Sequence, residues 1–297
     1  MEFRNKRSIF AELRQAMAGV VQHCMGINGP KRAKTNPVNK KIWDELHPAA
    51  LKELRDTAAT ERWTAQAVLD CALRLFYCTL VVNLESRNRV VAYDYMDFAR
   101  RIGEVWEDFC KVCWDFPVNT ELRRLKPESF QTVRRSLLDQ FATMVRASGA
   151  QDADALMREY HRVIDLLGNI NLTEDEYCAV GDKRIVIDFK SGFGSNEKGN
   201  TERLLTVAKI YHLLPGQHEC ALVVRAAEGE GNNYLRVLKS SGLWNVCCGP
   251  EAYTFIQDVT RFDLAAWIRT NVAFREDMER EVYQHLEQQH LTKYLVW

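Results

Sequence analysis

The chain has 297 residues, with 40 Lys and Arg against 40 Asp and Glu, so its formal net charge is zero. A composition that is 46% hydrophobic and 27% charged is close to the average for soluble globular proteins, and it excludes a disordered tail, a collagen-like fibre and a membrane bundle. A length near 300 residues allows one large domain or two ordinary ones.

The charge is distributed unevenly along the chain. Residues 1–150 contain 24 basic and 18 acidic residues, whereas residues 151–297 contain 16 and 22. The first 41 residues alone hold nine basic residues, and Lys31, Arg32 and Lys34 lie close together among them. Such a cluster indicates contact with a polyanion, because Lys and Arg bind phosphates. A solvated chain terminus explains the same cluster equally well.

The cysteines and the apolar runs of the chain indicate the cellular compartment in which the protein is expected. Nine cysteines are spread over the chain, and Cys110 and Cys113 have the spacing of half a zinc site without a matching second half. No secretory signal and no run of 18 apolar residues is recognisable. We therefore expect a cytoplasmic protein with reduced thiols and no membrane partner.

The N-terminal half has the hydrophobic spacing of helices. Residues 28–40 are polar and basic and contain two prolines, which predicts a loop, and Asp152 is the expected N-cap of the last helix before residue 168. The apolar periodicity predicts helices over residues 1–27, 48–84, 93–116, 129–148 and 152–167.

After Gly168 the pattern changes to short apolar runs that alternate with helical segments. This alternation predicts a mixed α/β sheet in the C-terminal half. The fold class is therefore α/β with a mainly α-helical N-terminal region, divided into 1–150 and 151–297. The predicted strands lie near 169–180, 184–189, 221–225 and 244–248, and the predicted helices at 201–214, 234–240, 262–272 and towards residue 297.

A hairpin signal in the C-terminal half gathers polar side chains. Gly181-Asp182 lies between two apolar runs, as in a two-residue β-turn. This turn places Asp188 opposite Asp175 on a shared face, and Lys190 follows on the same face because side chains alternate along a strand. With a three-residue turn, Glu176 would replace Asp175 opposite Asp188.

Two opposed carboxylates are costly unless a cation neutralises them. Their hard oxygen atoms suit Mg²⁺, and the main-chain carbonyl of Phe189 could complete the coordination. Lys190 on the same face could orient or deprotonate a water molecule, or stabilise the charge that develops on a phosphate. The alternative is a surface hairpin in which Lys190 forms an ordinary salt bridge.

The triplet Asp188-Phe189-Lys190 and the preceding Asp175 resemble the PD-(D/E)XK nuclease superfamily, the core of many type II restriction endonucleases. The resemblance covers approximately residues 150–272. It implies a restriction-endonuclease-like core and Mg²⁺-dependent hydrolysis of DNA phosphodiesters. Glu174 stands where the family usually has proline, which leaves both Asp175 and Glu176 as candidates for the first acid.

The resemblance also implies further site residues. Glu159, on the helix before the hairpin, could supply another metal ligand, although it could equally face solvent. In the family, the loop after the triplet and the next helix lie beside the DNA, so Asn196, Lys198 and Arg203 are candidate DNA contacts. Simple solvation is the alternative for each of them.

Together these features predict a type II restriction endonuclease that cuts double-stranded DNA as a homodimer, since the two-fold symmetry of such a protein mirrors a palindromic site. Residues 151–297 would form the catalytic core. Residues 1–150 would supply DNA recognition, dimer contacts or both. The alternatives are a repair, junction-resolving or phage-defence nuclease of the same superfamily, a non-catalytic DNA-binding protein that keeps the fold, and a helical scaffold unrelated to DNA.

Overall fold

The computed structural model describes residues 1–126, 129–166, 168, 174–192, 198–214, 216–229 and 232–297. The protein is mixed α/β with a helical N-terminal region, as predicted. Its mixed sheet has five strands, one more than the sequence indicated. The chain forms two compact units. The first comprises Met1–Asn119 and Ile256–Trp297, and the second comprises Thr120–Phe255. Residue 150 lies inside the second unit.

The N-terminal part of the first unit is entirely helical where it is regular. Its longest helix, α4, is buried along most of its length and packs against α1, α3 and α5. The elements are α1 (Lys6–Met25), α2 (Lys31–Lys40), a π-helical segment (Lys41–Leu46), α3 (His47–Thr60), α4 (Ala65–Val90) and α5 (Tyr95–Asp115).

Helix α4 is also unusually long and apolar. Within the part of the chain that the structure describes, it is the one helix long and apolar enough to cross a membrane by length and composition. However, 78% of its most apolar window is buried inside the protein. Burial of this kind accounts for the composition of α4, because core helices that are apolar on all sides have the same pattern.

Helix α2 corrects the sequence prediction, which was wrong in assigning a loop to residues 28–40. Pro30 is extended at the N-cap, and Lys31–Lys40 is helical despite Pro37 in its interior. Thr35 and Val38 are buried, so packing outweighs the low helix propensity of this segment. The π-helical segment follows directly, and its first amide, of Lys41, donates to the carbonyls of Pro37 and Val38.

A buried histidine in this unit gives a pH-dependent contribution to stability. His47 contacts the rings of Trp43 and Phe76, and its Nδ1 lies 3.1 Å from Oγ1 of Thr79. Burial lowers the pKa of His47 from 6.5 to about 4. Between these values the unfolded chain binds a proton that the folded chain does not. The free energy of unfolding therefore falls as the pH falls through this window.

We expect this loss to reach about 3 kcal/mol, because each pKa unit corresponds to about 1.4 kcal/mol. Urea denaturation at neutral pH and at about pH 4.5 measures it. The His47→Gln variant should lose less stability over the same interval than the wild type. The control His161→Gln changes an exposed histidine and should keep the wild-type slope. Equal pH slopes for His47→Gln and the wild type would contradict the assignment.

The second unit is built on one five-stranded sheet. Its strand order is β1-β2-β3-β4-β5. The pairs β1–β2 and β2–β3 are antiparallel, and the pairs β3–β4 and β4–β5 are parallel. Helices α8 and α9 are the crossovers between the parallel strands, as this geometry requires. The elements are β1 (Leu122–Arg124), α6 (Phe130–Ala147), α7 (Ala153–Leu166), β2 (Glu176–Val180), β3 (Lys183–Lys190), α8 (Lys198–Leu213), β4 (His218–Val224), α9 (Asn233–Ser240) and β5 (Asn245–Cys248).

The β2–β3 hairpin has the predicted two-residue turn. Val180 pairs with Lys183, and the register continues to Glu176 opposite Ile187. Gly181 has φ of 59°, a conformation that glycine adopts without steric cost. The three-residue alternative is therefore wrong, and Glu176 shares the face of Ile187 rather than that of Asp188.

Helix α8 packs its apolar stripe onto the sheet face that carries Asp188. Leu204, Val207, Ala208 and Tyr211 are buried there with Val186 of β3, and their spacing of three and four residues puts them on one side of the helix. The N-cap prediction for α7 is also confirmed, because Asp152 Oδ1 accepts from the amide of Ala155. The C-terminal elements are α10 (Pro250–Thr260), α11 (Leu264–Asn271), α12 (Phe274–Asp277), α13 (Arg280–Gln288) and a 3₁₀ segment (Thr292–Leu295).

Candidate functional site

The hairpin and helix α8 bring five charged side chains together near the C-terminal end of β3. Asp175 directly precedes β2, and Asp188 and Lys190 lie on one face of β3. Asp175 Oδ2 accepts a hydrogen bond of 2.8 Å from the amide of Phe189. This bond extends the β2–β3 register past Glu176 and fixes the carboxylate beside the triplet.

Lys190 stands between the two predicted acids. Its ammonium forms an ion pair with Oδ1 of Asp188 and lies 4.0 Å from Oδ2 of Asp175. It also donates to the carbonyl of Phe189 at 3.0 Å. The structure thus places Asp175, Asp188 and Lys190 in one cluster, as the hairpin register predicts.

Glu174 is a member of this cluster that the sequence did not assign to the site. Its side chain is 1% exposed, and Arg203 of α8 bridges it to Asp188. The guanidinium lies 2.8 Å from Oε1 of Glu174 and 2.9 Å from Oδ2 of Asp188. Arg203, predicted as a DNA contact, therefore binds carboxylates of the site itself.

Burial makes the two bridged carboxyl groups titrate differently. Desolvation, followed by the hydrogen bond to Asp188, raises the pKa of Glu174 to about 8. Desolvation also acts to raise the pKa of Asp188, but the hydrogen bond from Glu174 and the charges of Lys190 and Arg203 outweigh it and lower that pKa. At neutral pH Asp188 is therefore ionised, and the two carboxyl groups titrate as a coupled pair.

The oxygen atoms of the cluster belong to carboxylates and a main-chain carbonyl, the types of ligand that a hard divalent cation prefers. Asp188 Oδ1 is buried and makes no aligned hydrogen bond, although it contacts Lys190 as an ion. Together with Asp175 and the carbonyl of Phe189 it offers two carboxylates and one neutral oxygen, and Mg²⁺ is commonly held by one or two carboxylates while keeping several waters. Among the described residues, no group of three or more His, Cys, Asp or Glu is placed to hold a metal ion.

Two further predicted acids lie apart from this cluster. Glu176 is buried on the other face of the hairpin, where its carboxylate pairs with Arg124 of β1 at 2.7 Å. Glu159 lies on the exposed surface of α7 and pairs with Arg162 at 2.7 Å.

The basic residues near the N-terminus lie on helix α2. Lys31 is half-buried, and its ammonium pairs with Asp94 at 2.7 Å and with Asp97. Arg32 is exposed and Lys34 is half-buried. The charge of Lys31 is thus balanced within the protein, which leaves Arg32 as the most accessible cation of the three.

The remaining predicted DNA contacts lie around the start of α8. Lys198 is its first residue, is 74% exposed and lies 4.0 Å from Glu202. An exposed pair of this kind is weak, so the ammonium of Lys198 is available to a ligand. Asn196 lies outside the described residues.

Comparison of the chain with models of known protein families, with curated proteins and with solved structures finds no match. An ionised Asp188, a second carboxylate and an ammonium at the end of a strand can hold a cation, position a water molecule and neutralise charge on a phosphate.

Proposed function

We propose that the protein is a Mg²⁺-dependent DNA endonuclease of the restriction type, with a PD-(D/E)XK core in its second unit. The observation that supports this most directly is the placement of Asp175 beside the Asp188-x-Lys190 triplet across a two-residue turn. In the PD-(D/E)XK superfamily, which this segment resembles, an acid on the first strand of a hairpin and a triplet on the second form the catalytic site. The next helix flanks that site. Helix α8 occupies the flanking position here.

The cluster supports hydrolysis as follows. Asp175, Asp188 and the carbonyl of Phe189 would hold Mg²⁺, which supplies Lewis-acid polarisation of the scissile phosphate and of water. Lys190 orients the attacking water and neutralises charge on the phosphate oxygens. The water oxygen forms a bond to phosphorus and gives up a proton to solvent, one ester P–O bond breaks, and the departing oxygen takes up a proton from solvent.

The proposed substrate is double-stranded DNA, bound by a homodimer when the recognition sequence is palindromic. The surplus of basic residues in the first 150 positions supports a role of this region in DNA contact. Arg32 and Lys198 are the accessible cations among the predicted contacts. We propose that the helical region contributes recognition, dimer contacts or both.

Digestion of methylated and unmethylated plasmid DNA, with Mg²⁺ or with EDTA, tests this proposal. The expected result is a fixed fragment pattern with Mg²⁺ and intact plasmid with EDTA, and sequencing of the ends gives the site. Nicking that depends on DNA structure rather than sequence would instead favour a repair or junction-resolving nuclease. Cleavage in EDTA would contradict the metal-dependent site.

One observation favours a second candidate, a DNA-binding protein that keeps the fold without catalysis. Lys190 and Arg203 already neutralise Asp188 from two sides, so the cluster is electrostatically complete without a metal ion. This candidate predicts salt-dependent DNA binding and no cleavage of methylated or unmethylated DNA at any Mg²⁺ concentration.

A further inference from the structure

The ammonium of Lys190 lies among the three oxygen atoms that the proposed function assigns to a metal ion. It forms an ion pair with Oδ1 of Asp188, donates to the carbonyl of Phe189 at 3.0 Å and lies 4.0 Å from Oδ2 of Asp175. A hard divalent cation prefers the same carboxylate and carbonyl oxygens. One position in the cluster therefore suits either of two cations, and Lys190 holds it in this structure.

The two oxygen atoms of Asp188 have different partners. Oδ2 accepts a hydrogen bond of 2.9 Å from Arg203, which also donates to Oε1 of Glu174 at 2.8 Å. Oδ1 is buried and makes no aligned hydrogen bond within the described residues, and its contact with Lys190 is ionic. The ion on Oδ1 can therefore be exchanged while the hydrogen bond on Oδ2 stays in place.

The oxygen atoms of the cluster are fixed more firmly than the ammonium. The guanidinium of Arg203 is a planar fork that binds two carboxylates, of Glu174 and Asp188, whose side chains are 1% and 3% exposed. The amide of Phe189 holds the carboxylate of Asp175 at 2.8 Å. Lys190 instead carries one ammonium on a flexible four-carbon stem, and its side chain is 24% exposed. The ammonium can therefore move towards solvent without displacing the carboxylates.

The charges of the two cations make simultaneous occupancy unfavourable. An ammonium and a divalent cation in contact with the same carboxylate oxygen repel each other, and this repulsion is strong where solvent is excluded. Arg203 already places a positive charge on the other oxygen of Asp188. Binding of a divalent cation at Oδ1 is therefore coupled to the departure of Lys190.

We propose that Lys190 and a divalent cation are alternative occupants of Asp188 Oδ1, and that Arg203 is the positioning residue that holds Oδ2 during the exchange. The proposal rests on the metal site of the proposed function and adds a control of that site, because the metal-free cluster is closed by its own lysine. The released ammonium can then contact a phosphate. The exchange makes and breaks no covalent bond.

Acetylation of lysines by N-acetoxysuccinimide tests the exchange in the wild-type protein without DNA. The modified peptides are quantified by mass spectrometry in EDTA and in millimolar Mg²⁺. We expect Mg²⁺ to raise the acetylation of Lys190 relative to Lys183 by about fivefold, the factor that one partly exposed ion pair contributes. Lys183 is the internal control, because it lies at the other end of β3 and pairs with Glu219.

Electron paramagnetic resonance of Mn²⁺, again without DNA, measures the affinity of the site. Lys190→Ala should bind Mn²⁺ about fivefold more tightly, because the competing ammonium is absent. Arg203→Lys keeps the charge but loses the two-pronged bridge, so it should bind Mn²⁺ about tenfold more weakly. Lys183→Ala should keep the wild-type affinity. Circular dichroism checks the folding of each variant, and the acetylation experiment needs no variant.

Release of Lys190 by Mg²⁺, together with the two opposite changes in Mn²⁺ affinity, would support the proposal. Tighter binding by Lys190→Ala without increased acetylation in the wild type would show only the loss of a nearby charge and would overturn the exchange. Absence of Mn²⁺ binding would also overturn it, and wild-type affinity in Arg203→Lys would overturn the positioning role.

Plasmid cleavage in Mg²⁺ is measured separately from these experiments. Cleavage without release of Lys190 would overturn this inference and leave the nuclease proposal standing. Release of Lys190 without cleavage of any DNA would overturn the nuclease proposal alone.

Discussion

Lys190→Ala is expected to reduce Mg²⁺-dependent DNA cleavage by about 10³-fold, since a positioned charge that acts on the reacting phosphate contributes on this order. Lys190 contacts Asp188 and lies 4.0 Å from Asp175. In the proposed mechanism, its removal takes away the group that would orient water and neutralise the phosphate. Initial rates of plasmid linearisation measure the effect, and a gel-shift assay in EDTA measures DNA binding.

The control for this experiment is Lys183→Ala on the same strand. Lys183 is an exposed lysine paired with Glu219, and its substitution should leave the cleavage rate within about twofold of the wild type. DNA binding by Lys190→Ala should stay close to that of the wild type, because one cation among many is lost. Cleavage by Lys190→Ala at the wild-type rate would show that the reaction does not take place at the cluster of Asp175, Asp188 and Lys190.

Glu85→Ala is expected to lower the free energy of unfolding by about 2 kcal/mol, because it removes a buried carboxylate that accepts three hydrogen bonds and leaves the half-buried Arg14 with only its 4.0 Å ion pair to Glu279. The side chain of Glu85 on α4 is 2% exposed and accepts two hydrogen bonds from Arg14 of α1, at 2.9 and 2.7 Å. It also accepts from the amide of Glu279 at 2.7 Å. One carboxylate thus joins α1, α4 and the C-terminal segment.

Chemical denaturation at neutral pH measures this effect. Glu85→Gln keeps the volume and one acceptor, so it should lose less stability than Glu85→Ala. Glu45→Ala removes an exposed carboxylate paired with Lys41 and should leave the midpoint unchanged. If Glu85→Ala unfolds at the wild-type midpoint, the carboxylate does not join these elements in solution.

The hairpin could be predicted from the sequence because its determinants are local. A Gly-Asp dipeptide between two apolar runs fixes the turn, and the alternation of side chains fixes which acids share a face with Lys190. The observed pairing of Val180 with Lys183 follows from these two rules alone. No information from distant parts of the chain is needed to bring Asp175 beside Asp188.

Other elements depend on contacts between distant residues, which sequence patterns do not show. Helix α2 contains Pro37 and polar residues, and the burial of Thr35 and Val38 stabilises it. Strand β1 has only three residues, too few for a periodic pattern, and it exists through its pairing with β2. Sequence patterns therefore do not predict helix α2 or strand β1.

The composition of the site was predicted only in part. Arg203 lies off the apolar stripe of α8, and spacing alone cannot separate a side chain that faces solvent from one that faces a carboxylate at the end of the sheet. Glu174, Asp175 and Glu176 are three successive acids, and the sequence alone does not show that Glu174 belongs to the site. The docking of α8 onto the sheet decides both, because it places the guanidinium of Arg203 between Glu174 and Asp188.

The burial of all nine cysteine thiols has a practical consequence for experiments. A thiol that solvent does not reach reacts slowly with alkylating or oxidising reagents. Labelling therefore reports local opening of the fold without any introduced probe. Cys24, Cys71, Cys78, Cys110 and Cys113 belong to the first unit, and Cys178, Cys220, Cys247 and Cys248 to the second. Mass spectrometry of labelled peptides can therefore measure the rate at which each unit opens, separately and within one labelling experiment.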